Sequence, residues 1–300
     1  MKSNKHKKTL TIGIAAHNEE KTLTRLLGDI ERQSLKPTVK LEKIIIVSDG
    51  STDKTCDVAR SYKSLPIKLV ERKTQRGKAY GLGQIFAQAT SDVLIIFDAD
   101  IRIKQANMLE AALEQMGKNK ADLLAIRVQY ERPKSVLQRV LAASCDMKET
   151  LFESLDDGNN IYTCHGRARA FSKHFYKKLI FKQGVSEDAY SYIACVEGKF
   201  SYRYTNKARV FYQLPNSVSD HASQSHRFYR SAKNRKKLQS SNYKHFYDIP
   251  IKNVLLANLK TLVKKPELLG YYGLSLYLVN KDREPHASAH VWETVTSTKL

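Results

Sequence analysis

From residue 9 to about residue 130, short apolar runs alternate with stretches whose apolar positions recur every three to four residues. The runs suit strands buried on both faces, and the stretches suit helices lying across a sheet. Their alternation predicts a βαβ chain on a mostly parallel sheet. Strands are expected over 9–16, 43–48, 67–72, 93–98 and 121–130, with helices over 19–33, 53–61, 78–89 and 105–116 between them. Past Pro133 the strict alternation stops. A helix is expected over 136–151, another over 190–197, a strand pair over 200–205 and 208–214, and a basic helix over 217–239. The stretch 251–263 places Ile251, Leu255, Leu259, Leu262 and Val263 on one helical face, and Pro266 separates it from a Leu- and Tyr-rich 268–279. That apolar pair suits either packing on the core or a seat in a membrane interface.

In such sheets ligands bind outside the carboxyl ends of the strands, so the residues just after each strand carry the chemistry. The run Val93-Leu-Ile-Ile-Phe-Asp-Ala-Asp100 ends in two carboxylates one residue apart. Strand side chains repeat every two residues, so Asp98 and Asp100 can face one crevice, where hard oxygens suit Mg²⁺ or Mn²⁺ with a phosphate substrate. Strand termination and helix capping would account for the same two residues. After the first strand comes Ala15-Ala-His-Asn-Glu-Glu20, in which Asn18 suits an N-cap and Glu19 and Glu20 a first helical turn. No Gly-x-Gly-x-x-Gly and no Walker loop occurs there, which argues against a dehydrogenase-type dinucleotide fold. After the second strand, Ser48-Asp-Gly-Ser-Thr-Asp53 offers Gly50 for a tight turn and Thr52 or Asp53 as a cap. Asp49 is left over, and a carboxylate there can accept the ring N–H of a pyrimidine or guanine base. Arg76-Gly-Lys78 opens a helix with two cations and free N–H groups, a suitable seat for phosphate.

Charge and composition narrow the partners. Lys and Arg number 51 against 30 acidic residues, for a net charge of +21, so the surface attracts phosphates, nucleic acid or anionic membrane. The 42% hydrophobic content suits a globular core. Cys56, Cys145, Cys164 and Cys195 are scattered, which fits reduced thiols inside a cell and not a thiolate metal site. Lys2, Lys5, Lys7 and Lys8 lead into a strand without a cleavage site, so no secretory signal is expected. The longest apolar run falls short of the roughly 20 residues a span requires, so a cytoplasmic protein with at most peripheral membrane contact is expected.

Taken in order, these motifs resemble glycosyltransferase family 2 and its nucleotide-sugar fold, GT-A, over about residues 9 to 230. Ala-Ala-His-Asn-Glu-Glu is similar to the family's Pro-Ala-Tyr-Asn-Glu-Glu, with Ala15 in place of Pro. The resemblance places Ala15, His17 and Glu19 on the donor side, His17 beside the nucleobase. Ser-Asp-Gly-Ser-Thr-Asp matches closely and puts Asp49 in the base-binding role. Asp98-Ala99-Asp100 resembles the family's Asp-x-Asp, whose first carboxylate lies near the ribose and whose second holds the metal. Ser186-Glu-Asp188 resembles the motif in which Asp188 is the general base and Glu187 its neighbour. Each of these acids also suits simple capping. A Gly-containing segment in this family lines the acceptor, which makes His165 and Gly166 acceptor contacts; a half-buried histidine at a strand end is the plain alternative. Gln224-Ser-His-Arg-Phe is similar to the Gln-x-x-Arg-Trp of processive members, with Phe228 for Trp. It implies that Gln224 lies on the acceptor side and that Arg227 joins Arg76 and Lys78 around the pyrophosphate. The late histidines His221 and His226 are available as metal ligands. Asp100-Ile-Arg-Ile lacks the Asp-Leu-x-x-Pro of the lipid-phosphate mannose subgroup.

The expectation is a GT-A-type α/β domain over 9–240, with a nucleotide-sugar half over 9–130 and an acceptor half over 131–240. A basic tail, 1–8, precedes it; a helical extension, 241–282, which suits core packing or a membrane interface, and a polar tail, 283–300, follow. The implied activity is metal-dependent, inverting transfer of a sugar from a nucleoside diphosphate, UDP by default, to a glycan or lipid-linked hydroxyl. Two rivals share parts of this pattern. A nucleotidyltransferase should carry a Gly-rich loop after the first strand, where this chain has Ala-His-Asn-Glu. A nucleic-acid binder explains the charge but not acids at three strand ends.

Overall fold

Strand β1 (Lys8–Ala16) is buried from Leu10 onward, as expected of a strand covered on both faces. The computed structural model describes residues 7–181, 186–225 and 241–281. On either side of β1 lie β2 (Val39–Asp49) and β4 (Val93–Asp98), both parallel to it, and β3 (Ile67–Arg72) runs parallel to β2. The intervening helices are α1 (Glu20–Glu31), α2 (Thr55–Ser61) and α3 (Lys78–Gln88), so the first half follows the alternation of its apolar pattern.

Beyond β4 the sheet turns antiparallel. A two-residue strand, β5 (Ile101–Arg102), and α4 (Met108–Lys118) precede β6 (Leu123–Tyr130), and then α5 (Val136–Glu153) leads to β7 (Ala168–Ser172). β7 inserts between β4 and β6, antiparallel to both, so β6 is not the next parallel strand. α6 (Lys173–Tyr176) and α7 (Glu187–Glu197) follow, and then β8 (Tyr202–Tyr212), which pairs antiparallel with β5. The full order is β3-β2-β1-β4-β7-β6-β8-β5. The expected strand pair over 200–205 and 208–214 is one strand. Asn206-Lys207 is exposed and resembles a turn, yet buried Ala208 and Val210 keep the chain extended.

Two compact units are present. Among the described residues, one takes in 7–129 and 164–212 and the other 130–163 and 213–281. In the first, a core of Ile12, Ile14, Ile44, Ile46, Ile95 and Phe97 packs against Leu23, Leu27 and Leu109 of α1 and α4. α1 also supplies a buried carboxylate, Asp29, which accepts from Arg102 Nε (2.6 Å), Arg102 Nη2 (3.1 Å) and Ile103 N (2.9 Å). An unpaired buried carboxylate would cost several kcal/mol. These donors make its burial tolerable and hold the short strand that follows Asp100. In the second unit, 218–225 form a helix, α8, that reaches the edge of the described residues, and α9 (Ile251–Lys264) and α10 (Leu268–Lys281) pack on α5 and on each other. Lys265 Nζ donates to Tyr130 Oη (3.0 Å), which donates to Asp146 Oδ1 (2.7 Å), and Lys265 also pairs with Asp146. Burial raises the Tyr130 phenol to about 12.

One capping expectation changes. Asn18 does not cap α1; it takes a left-handed backbone, φ 52°, and its Oδ1 accepts from Thr52 N at 2.8 Å. Instead α1 and α2 cap each other, with Glu20 N donating to Asp53 Oδ2 (3.1 Å) and Lys54 N to Glu20 Oε2 (3.1 Å). Crossed caps of this kind join two elements that no local window connects.

Gly50 is required by the turn after β2. Its φ is 68°, and a Cβ there would stand 2.8 Å from Gln75 N and 3.0 Å from Thr74 C, both backbone atoms. Gly50→Ala is therefore expected to cost about 2–3 kcal/mol, from left-handed strain plus a clash that no side-chain rotation relieves. Urea denaturation measures it; a loss below about 0.5 kcal/mol would mean that the 73–77 loop shifts freely.

Candidate active site

The Gly50 turn lets the β3–α3 loop lie against the end of β2, and Asp49 holds it there. Asp49 is 1% exposed. Its carboxylate accepts from Arg76 N (3.0 Å to Oδ1) and Gly77 N (2.7 Å to Oδ2). Arg72 Nη1 lies 2.8 Å from Oδ1, an ion pair out of line for a hydrogen bond. Thus the acid predicted beside the base also anchors the loop that carries Arg76 and Lys78. Arg72 and Arg76 both lie over the Tyr80 ring, at 4.2 and 4.0 Å, a cation–π arrangement that orients them. His17 Nδ1 donates to the Asp49 carbonyl oxygen at 2.8 Å, placing the hydrogen on Nδ1. Glu19 N donates to Thr55 Oγ1 at 2.8 Å, and its side chain accepts from Thr22 Oγ1. Ala15 and Ala99 are buried.

Lys78, in the first turn of α3, joins Asp98 at the end of β4 to α7. Its Nζ is 2.7 Å from Asp98 Oδ1 and 2.6 Å from Glu187 Oε1. The three side chains are 17–23% exposed, so solvent weakens the pairing without dissolving it. Burial works against the Lys78 ammonium, but Asp98 and Glu187 outweigh it and raise its pKa. Asp98 is raised, by burial first and then by neighbouring Asp100, against the pull of Lys78. Glu187 moves the other way. Burial would raise it, yet Lys78 and Arg169 hold it down at about 2. Asp100 Oδ1 is buried and has no hydrogen-bond partner among the described residues.

Asp188 follows Glu187 in the first turn of α7, after Ser186 as N-cap. Its Oδ1 accepts from Ser186 Oγ and from Ala189 N (2.7 Å). Oδ2 faces Gly166, 3.6 Å from where a Cβ would stand; that same Cβ would come within 3.2 Å of both Glu187 Oε1 and Lys78 Nζ. Glycine keeps this space open. Beside it, His165 is lowered to about 4 by burial and then by Arg167, against the opposing pull of Asp188, so its imidazole is neutral at pH 7. Cys164 is buried, its thiol raised to about 12 by burial.

Asp98, Asp100, Lys78, Gly166, Glu187 and Asp188 thus come together at the ends of β4, α3 and α7, while Asp49, Arg76 and His17 gather at the end of β2. Gln224 lies in α8, in the second unit, and is half-buried. His221, also in that unit, stands edge-on to Tyr271. Arg227 and His226 lie outside the described residues.

One residue escaped the motif reading. Arg169, on β7, is fully buried. Its Nη1 donates to Glu187 O (3.0 Å) and Ser191 Oγ (2.9 Å), and its Nε and Nη2 have no hydrogen-bond partner among the described residues. It is a second cation behind Glu187 and a tie on the first turn of α7. A lone charge between two alanines in a short apolar run was its one trace in the sequence.

Comparison with known proteins bears on this site. The sequence profile of "Glycosyl transferase family 2" matches residues 11–180. A relative is the 4,4'-diaponeurosporenoate glycosyltransferase of Staphylococcus aureus (strain MRSA252), 28% identical over 174 residues, 56% of this chain and 45% of that protein. The chain therefore spans less than half the length of the curated relatives it matches. In three dimensions it is similar to S. aureus TarS in complex with UDP-GlcNAc, with a TM-score of 0.54 and 19% identity over 70% of this chain and 59% of that one. It is also similar to the mannosyltransferase PcManGT of Pyrobaculum calidifontis in complex with GDP-Man and Mn²⁺, with a TM-score of 0.57 and 15% identity over 94% and 77%. These likenesses identify the GT-A fold. With the matched profile covering more than half of its 300 residues and the strand-end acids in place, the chain belongs to glycosyl transferase family 2.

Proposed function

We propose that this protein transfers a sugar from a nucleoside diphosphate to an acceptor hydroxyl with inversion, using Asp188 as general base. The Lys78 bridge carries the reading, because its contacts of 2.7 Å to Asp98 and 2.6 Å to Glu187 bring the donor-side strand end and the base-bearing helix to one place. Donor recognition falls to the loop anchored by Asp49, with Arg76 and Lys78 facing the diphosphate; Arg227 is proposed as a further contact. Ala15, His17, Glu19 and Ala99 shape the donor side, and Gln224 belongs to the acceptor side.

Asp188 has one oxygen held by Ser186 and Ala189, while the other faces the space beside Gly166. A carboxylate so oriented can take a proton from a hydroxyl within hydrogen-bond reach as that hydroxyl attacks the anomeric carbon. Glu187, kept ionised by Lys78 and Arg169, holds Lys78 in place and is not itself the base. Neutral His165 can exchange hydrogen bonds with an acceptor hydroxyl without adding charge. One base and one displacement invert the anomeric centre.

The residues present fit a divalent cation. Among the described residues, Asp100 offers a buried hard oxygen with no hydrogen-bond partner, and no group of three His, Cys, Asp or Glu side chains forms a closed cage. That donor set suits Mg²⁺ or Mn²⁺, which often bind through one or two carboxylates plus substrate phosphates. A cation held by Asp100 would offset the charge that develops on the departing diphosphate. The solved neighbours in complex with UDP-GlcNAc or with GDP-Man and Mn²⁺ support a nucleotide-sugar donor, and UDP is the donor proposed here.

Thermal melts with UDP, GDP, CMP and dTDP, with and without Mn²⁺, test the donor site. A ligand at 100 times its Kd adds about 2.7 kcal/mol of stability. UDP is expected to raise the Tm only with metal, and Asp100→Ala should abolish the rise; stabilisation by none of the four would sink the donor assignment. For the base, Asp188→Asn should lower kcat by about 10² to 10⁴ while the nucleotide-dependent Tm rise persists. Near-normal turnover in that variant rules Asp188 out. For His165 the sign follows from its lowered pKa. As pH falls from 6.5 to 4 the unfolded chain takes up a proton that the folded chain refuses, so stability declines across that window and is unaffected above it. His165→Gln should flatten this slope in urea melts between pH 4 and pH 7, and a difference between variant and wild type that is the same at every pH would refute a neutral His165.

A further inference from the structure

Helices α9 and α10 turn the wrong side outward for a water-soluble pair. In α9 the buried residues are Ala257 and Thr261, small or polar. Its large apolar residues Ile251, Leu255, Leu259 and Val263 are 72, 62, 62 and 79% exposed, with Leu256 beside them at 44%. At 3.6 residues per turn these side chains form one continuous arc on the side of the helix opposite Ala257 and Thr261. α10 repeats the arrangement. It buries Leu268 and Leu278 and exposes Leu269, Tyr272, Leu276 and Val279 along one face. A monomer in water normally directs such a stripe inward, and contiguous exposed apolar surface of this kind marks an interaction site.

Charge selects the occupant. Neither helix contains an acidic residue, while Lys252, Lys260 and Lys264 are exposed on α9, Lys252 within the apolar arc and the other two toward its margin. The chain as a whole carries +21. Each helix is 14 residues long, and no described helix is long and apolar enough to cross a membrane. Short helices with an outward apolar arc, no acids and flanking lysines fit the interface of an anionic bilayer, where leucines enter the acyl boundary and lysine ammonium groups reach the headgroups. Polar tyrosine hydroxyls, as on Tyr272 and Tyr277, suit the same depth.

We infer that α9 and α10 form a docking surface for an anionic lipid bilayer. The inference does not depend on the transferase reading: it uses no nucleotide, and it would stand if the donor assignment failed. Docking of this kind would bring the protein to acceptors that reside in or on a membrane.

Flotation of the full chain with vesicles of phosphatidylcholine, and of phosphatidylcholine with phosphatidylglycerol, tests it. The chain should float with the anionic vesicles, and added salt should weaken the association. Combined Leu255→Ser, Leu259→Ser and Leu276→Ser should lower the vesicle partition coefficient by about tenfold or more, with an unchanged circular-dichroism melt. Should that variant fold poorly, Leu259→Trp supplies a second measurement: its emission, after subtraction of the wild-type signal from the one native tryptophan, should shift to the blue on anionic vesicles and be quenched by brominated lipid. Failure of the wild type to float, or flotation that the serine substitutions leave intact, overturns the inference. So does a wild-type dimer, seen by light scattering, that the same substitutions convert to monomer without a change in vesicle binding, since the face then belongs to a second copy.

Discussion

The Lys78 ammonium is the interaction on which the site depends. It is pressed between Asp98 at the end of β4 and Glu187 at the start of α7, and each group would be unfavourable in that place without the others. Remove the cation and two carboxylates face each other in a poorly solvated crevice. Remove Glu187 and a partly buried lysine loses an anion. Arg169 completes the balance from behind. Its fully buried charge helps keep Glu187 ionised, and its bonds to the first turn of α7 fix the helix that carries Asp188. The alternation of charges, Asp98, Lys78, Glu187, Arg169, holds the end of β4 and the start of α7 in one arrangement by mutual compensation.

The same economy appears at the end of β2. Asp49 accepts two backbone N–H groups from the β3–α3 loop and sits against Arg72, so the residue whose type suggests base recognition also shapes the loop that presents Arg76 and Lys78. Gly50 makes this closeness sterically feasible. Asp29 performs the matching service below β4, where its bonds to Arg102 and Ile103 steady the chain just past Asp100. Buried carboxylates in this fold are therefore of two kinds. Asp29 and Asp49 are held by protein donors and set geometry; Asp100 keeps a buried oxygen without a hydrogen-bond partner among the described residues.

The second unit follows a different logic. Against α5, α9 buries the small Ala257 and polar Thr261, and both α9 and α10 expose large apolar residues, unlike the helices that cover β1. A closed core and an outward apolar face can share one chain, because each helix needs only one well-packed side to be held in place.

Much of the first half was legible in the sequence, since β3 over 67–72 and β4 over 93–98 follow from local periodicity and the acids that close β4 mark a strand end whatever surrounds them. The motif order likewise pointed to family 2 before any contact was known. What only tertiary structure decided rests on pairings distant in sequence. β7 is five residues long and is held by partners on β4 and β6, so no local pattern announces it. Asn18 looked like a cap and instead serves the turn after β2, because the end of a neighbouring strand supplies a better use for its side chain. The pattern of α9 defined an apolar face but not its direction. Periodicity records that a face exists; which side of it meets the rest of the chain is set by packing against α5, and there the small residues won the contact.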